Sequence, residues 1–128
     1  MLGPLRSRTQ VEISATDAVS LGINPPVRPS GKIDGTPGCF IVGPKGAVEL
    51  KEGVIRAERH VHMSDQNAAY FGFNDGQYVR LRVTSECSTT FEHVLCRVSP
   101  KFLLEVHLDT DEGNACCLAS ATNLELLA

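Results

Sequence analysis

Short runs of alternating apolar and polar residues, broken at close intervals by Gly, Pro, Asn and Asp, fill most of this chain and constrain it to a fold of many short strands. A helical bundle needs longer runs with a period near 3.6, so the pattern favours barrels over bundles. Thr9 to Ser14 reads as a strand with Val11 and Ile13 on one face and Gln10 and Glu12 on the other, because side chains alternate across a strand. Thr16 can cap a short helix from Asp17 to Leu21 closed by Gly22, and the proline-rich stretch 24–33 is predicted to be loop. Two strands, Cys39 to Gly43 and Ala47 to Leu50, should flank the turn Gly43-Pro44-Lys45-Gly46.

A second unit opens near Val54. Its expected order is a strand Val54 to His62, a helix Asp65 to Phe71 capped by Ser64 and closed by Gly72, and a turn at Asn74-Asp75-Gly76. Strands Gln77 to Val83, Phe91 to Val98 and Phe102 to Leu108 follow, then a helix Asp111 to Ser120 capped by Thr110. The ending Leu21-Gly22-Ile23-Asn24 echoes Phe71-Gly72-Phe73-Asn74, a weak internal repeat that suggests two related halves, residues 1–53 and 54–128. The first half is short of strands, and the chain reads as an N-terminally shortened form.

With 128 residues, 42% of them hydrophobic, and a net charge of -3, the chain can bury a core and offers no basic excess for nucleic acid. No stretch is apolar and long enough for a signal peptide or a membrane span. Five cysteines, with no Cys-x-x-Cys pair, suit neither a disulfide framework nor a zinc ribbon, so free thiols in a reducing cytoplasm are expected.

The chemistry concentrates in Arg59-His60-Val61-His62-Met63-Ser64. His60 and His62 are two apart on a strand, leave the same face, and can converge on one divalent ion, zinc by preference. An isolated His-x-His is by default a pair of surface histidines. A third histidine, His107, weighs against that default, since it ends another strand on the face opposite Phe102, Leu104, Val106 and Leu108. These three with the carboxylate of Glu12 would complete a metal shell with room for a substrate oxygen. His93 reads as a structural or surface residue, and Asp109, Asp111 and Glu112 as first-turn acids of a helix rather than a calcium loop. Arg6 and Arg8 are either solvated tail charges or, for one of them, a guanidinium fork for phosphate. No cysteine stands beside a histidine in a nucleophile arrangement.

Taken in order, these blocks resemble the PduL-type phosphotransacylases, the phosphate propanoyltransferases. The blocks are Gly3-Pro4-Leu5-Arg6, Thr9-Gln10-Val11-Glu12-Ile13-Ser14, Pro26-Val27-Arg28, Gly43-Pro44-Lys45-Gly46, Glu52-Gly53-Val54-Ile55, Arg59 to Ser64, Arg97-Val98-Ser99, and Glu105 to Glu112 with Asn114-Ala115. The resemblance implies two similar β-barrel domains with short capping helices, the first incomplete here. It implies two zinc ions and transfer of an acyl group, propanoyl or acetyl, between coenzyme A and inorganic phosphate. It implies that His60, His62, His107 and Glu12 hold one zinc and that Arg6 is the active-site arginine for phosphate. Residues that bind coenzyme A stay unassigned. The family's other His-x-His has no counterpart in these residues, which leaves a non-catalytic metal-binding or assembly module as the rival expectation. A cupin-like metal enzyme shares histidines on strands but not the blocks. A homodimer stays open, as does, for a full-length form, association with the shell or lumen proteins of a bacterial microcompartment.

Overall fold

The computed structural model describes residues 7–128, so the expectations for Gly3 to Arg6 lie outside the described residues. The chain is mostly sheet with few helices, and it divides into two compact units, the first ending at Ala57 and the second running from Glu58 to Ala128.

In the first unit, β1 (Val11–Glu12) and β2 (Val27–Arg28) flank β5 (Val54–Ala57), both parallel to it, while β3 (Cys39–Gly43) and β4 (Gly46–Leu50) form a separate hairpin. The strand expected over residues 9–14 is therefore only two residues long. Its end is taken by a cap: Ser14, not Thr16, starts α1 (Ala15–Leu21). The Ser14 side chain accepts from the Asp17 amide at 3.2 Å, and the Asp17 carboxylate accepts from the Ser14 amide at 3.3 Å, a capping box. The stretch 24–33 is not all loop, because Arg56 N–H donates to Pro26 O at 3.0 Å and draws Val27–Arg28 into the sheet between the two prolines that limit it.

In the second unit, the sheet has the order β10-β7-β8-β6-β9 and curls as a half-barrel. Its strands are β6 (His60–Met63), β7 (Tyr78–Thr84), β8 (Thr89–Val98), β9 (Glu105–His107) and β10 (Asn123–Leu127). The single strand expected over residues 54–62 is broken at Glu58-Arg59, and β10 lies beyond every strand that alternation predicts. α2 (Asp65–Phe71) begins and ends where its caps say it should: Ser64 makes a capping box with Asn67, and Gly72 turns left-handed at φ 72°. α1 ends the same way, on Gly22 at φ 66°. α3 spans only Thr110–Ala115, capped by Asp109 rather than Thr110, and a separate 3₁₀ turn covers Leu118–Ser120. Cys117, left-handed between them at φ 47°, interrupts the helix that the sequence suggested would continue.

The core of this unit is one cluster. Val61 and Met63 of β6, Val79, Leu81 and Val83 of β7, and Phe91, Val94 and Cys96 of β8 all point to one side of the sheet, where Ala68, Phe73 and Cys116 cover them. A one-residue shift between Val79 and Leu81 keeps this parity, with His93 at φ 55° absorbing the irregularity. By period two, the opposite face of β6 presents His60 and His62.

Candidate metal centre

Register brings the three histidines together. β6 pairs antiparallel with β9 so that His60 stands directly opposite His107, and parallel with β8 so that His62 stands opposite Arg97. The His60 and His107 rings stack at 4.6 Å, and His62 lies 4.9 Å from His60 and 4.4 Å from His107 between ring centroids. One ring nitrogen from each comes within 4.8 Å of the others, the spacing of ligands around a single ion.

Hydrogen bonding sets which nitrogen is available. His60 Nδ1 sits 2.8 Å from the Glu58 carbonyl, which can only accept, so Nδ1 carries the proton and Nε2 is left as the coordinating nitrogen. The Nε2 atoms of His62 and His107 are buried and have no hydrogen-bond partner among the described residues. Glu105 Oε2 lies 3.5 Å from His107 Nε2, a distance at which charge is felt but no good hydrogen bond forms. Leaving two buried nitrogens unsatisfied costs roughly 1–3 kcal/mol each, a cost that a bound cation removes. Burial above all, then the proximity of His107, His60 and Arg97, pulls the His62 pKa down from 6.5 to about 4. The ring is neutral at physiological pH, as a metal ligand must be. The residues fit a divalent metal held by three imidazoles, with a fourth position for another ligand or a substrate oxygen.

A pH prediction follows from that depressed value. The folded state holds His62 neutral down to about pH 4, whereas the unfolded chain binds a proton near 6.5. Stability of the metal-free protein should therefore be at its full value above pH 6.5 and fall as pH drops towards 4. Urea midpoints across this range should show the slope, and His62→Asn should flatten it.

Two neighbours of the cluster escaped the sequence reading. Phe102, expected among the apolar residues on the far side from His107, instead stacks on the His62 ring at 4.1 Å, while Leu103 and Leu104 are exposed. It lies outside any strand, so alternation could not place it. The Arg97 guanidinium lies 5.9 Å over the Phe102 ring, bringing a cation beside the histidines. The parity of β8 was the available signal, since Cys96 and Arg97 must face opposite ways. Arg59, adjacent to His60, pairs with Glu112 at 2.8 Å and ties α3 to the start of β6.

Of the other candidates, Glu12 belongs to the first unit, where its carboxylate accepts from Gln10 at 2.5 Å and from Ser30 at 3.2 Å. Arg6 lies outside the described residues. Arg8 pairs with Asp34 at 2.6 Å and with Glu52, so it is committed to its own unit. His93 is exposed and meets only the edge of Tyr78 among the described rings.

A mostly β chain that brings three imidazoles within reach of one point has the donor set of a candidate metal site. The model of the phosphate propanoyltransferase family matches residues 1–119, and the chain belongs to that family. Relatives named phosphate propanoyltransferase match most of this chain. The protein of Planctopirus limnophila is 54% identical over 128 residues, 99% of this chain and 52% of the relative. That of Lachnoclostridium phytofermentans is 50% identical over 115 residues, 90% and 54%. That of Thermotoga maritima is 50% identical over 119 residues, 92% and 57%. The chain thus spans about half the length of the curated relatives it matches. No helix among the described residues is long and apolar enough to cross a membrane.

Proposed function

We propose that this chain supplies a zinc-binding part of a phosphate acyltransferase that interconverts acyl-CoA and inorganic phosphate with acyl phosphate and coenzyme A, with propanoyl or acetyl as the acyl group. What carries the reading is the pair of orphaned nitrogens on His62 and His107 beside His60, in a chain of this family. Bound there, zinc would act as a Lewis acid towards a carbonyl or phosphate oxygen. His60, His62 and His107 would hold the ion, and the family resemblance adds Glu12 as a further ligand. The Glu58 carbonyl fixes the tautomer of His60, and Phe102 keeps water from one face of His62. Arg6 clamps phosphate with a bidentate guanidinium so that an oxygen is aimed at the thioester carbon. The C–S bond breaks, coenzyme A leaves as the thiolate, and the acyl phosphate remains. Two barrel domains, a cytoplasmic or microcompartment setting, and self-association belong to the same reading.

The test is phosphate-dependent release of coenzyme A from propanoyl-CoA, followed with a thiol reagent. A chelator should abolish it and zinc should restore it. Arg6→Ala should slow it by about 10²-fold or more, the scale of losing a positioned electrostatic donor, without changing zinc content. Zinc binding with no phosphate-dependent release would favour a non-catalytic metal-binding module instead.

A further inference from the structure

All five cysteines are reduced, and three of them gather at one end of the second unit. Cys87 lies in the turn between β7 and β8, and Cys116 and Cys117 follow α3. Ser85 fastens the two segments: its Oγ donates to the Cys116 carbonyl at 2.6 Å and accepts from the Cys87 amide at 3.0 Å. A second tie runs from the Thr122 amide to the Thr84 carbonyl at 2.9 Å. The left-handed backbone of Cys117, φ 47° and ψ 48°, separates the paths of the adjacent side chains. Cys116 is wholly buried, with its thiol 3.5 Å from the Gly113 carbonyl, whereas the Cys117 thiol lies against that of exposed Cys87.

We propose that Cys87 and Cys117 are a redox pair that a low-molecular-weight disulfide of the glutathione class closes into an intramolecular disulfide. Cys87 is exposed and Cys117 only partly so, which makes Cys87 the sulfur that a small disulfide reaches first and therefore the attacking one. Its thiolate attacks the small disulfide, forms a mixed disulfide and releases one small thiolate. Cys117 then gives up its proton and attacks the Cys87 sulfur, expelling the second small thiolate. Two protein thiols are oxidised and one small disulfide is reduced to two thiols, which balances the electrons. The bridge joins the β7–β8 turn to the end of α3, the helix whose Glu112 holds Arg59 beside His60. Oxidation therefore stiffens the support of the histidine cluster without consuming any of its nitrogens.

The experiment uses the whole chain, fully reduced and then incubated with oxidised glutathione. Thiol titration under denaturing conditions should fall from five to three with no glutathione retained, and peptide mapping should find Cys87 joined to Cys117. The non-reducing melting midpoint should rise by roughly 5 °C or more and return on reduction. Cys87→Ser and Cys117→Ser should each prevent closure, and Cys117→Ser should keep a glutathione adduct on Cys87. A Cys116–Cys117 bridge, a stable glutathione adduct on Cys87 in the parent chain, or closure that persists in either serine variant would overturn the proposal.

Discussion

Zinc content of the purified chain should be about one per molecule, and the double change His60→Ala, His62→Ala should bring it to background. Removing an outer partner of a zinc ligand costs roughly 10–100-fold in affinity, and removing two ligands outright must cost more. The fold should survive, because both imidazoles leave the face of β6 opposite Val61 and Met63, which stay in the core. That separation makes the result readable. A ligand present at about 1,000 times its dissociation constant stabilises by about 4 kcal/mol. In a unit of this size each kcal/mol moves the midpoint by about 4–8 °C. Zinc should therefore raise the melting midpoint of the parent chain by well over ten degrees, roughly, and leave the double variant unmoved. His107→Ala should behave like the double variant, since its ring stacks on His60 and its Nε2 is one of the orphaned atoms. Full zinc by metal analysis in the double variant would sink the ligand assignment.

How much of this was legible depended on how local each signal was. The histidines of β6 could be placed from two-residue spacing alone, and α2 from Ser64 and Gly72, because alternation and capping act within one strand or one turn. Thr16 and Thr110 are the hydroxyls nearest the helical runs, but Ser14 and Asp109 cap the helices, each three residues ahead of the acid that completes its capping box. The reciprocal acid, rather than the nearest hydroxyl, was the better guide. Partners set by tertiary register were out of reach: Arg97 opposite His62, Phe102 on the His62 ring, and Cys117 against Cys87. β10 escaped because Leu124 to Leu127 shows no clean alternation, and it becomes a strand only by pairing with β7. The repeat has a local physical content in the shared strand–helix unit. β1 leads to Ser14 and α1 as β6 leads to Ser64 and α2, and after each helix the Ile23 or Phe73 amide donates to Ala18 or Ala68 at 3.0 Å. On that alignment Glu12 occupies the place of His62.

The framework that carries Glu12 hangs on one glycine. Gly53 precedes β5 at φ 120°, a conformation that L side chains rarely adopt, and both of its peptide groups are held. Its amide donates to the buried Thr36 hydroxyl at 3.0 Å, and its carbonyl accepts from Val11 at 2.8 Å. A Cβ at this position would meet the Thr9 carbonyl oxygen at 2.5 Å. That atom is backbone and cannot swing aside as a flexible side chain would, so relief requires moving β1 off β5. Gly53→Ala should therefore cost about 3 kcal/mol or more, strain and displacement together. Gly22→Ala is the control, since Gly22 is also left-handed at φ 66° but has nothing within 4 Å of the added carbon. It should cost only the conformational part, about 1–2 kcal/mol. Hydrogen exchange localises the damage: the Val11 and Ile13 amides, which bond to the Gly53 and Ile55 carbonyls, should lose protection. Amides of Leu81 and Val83 in the core of the second unit should keep theirs. Equal costs for the two alanine variants, or unchanged exchange at Val11, would show that the β1–β5 contact tolerates the extra carbon and that Gly53 does not govern where Glu12 is held.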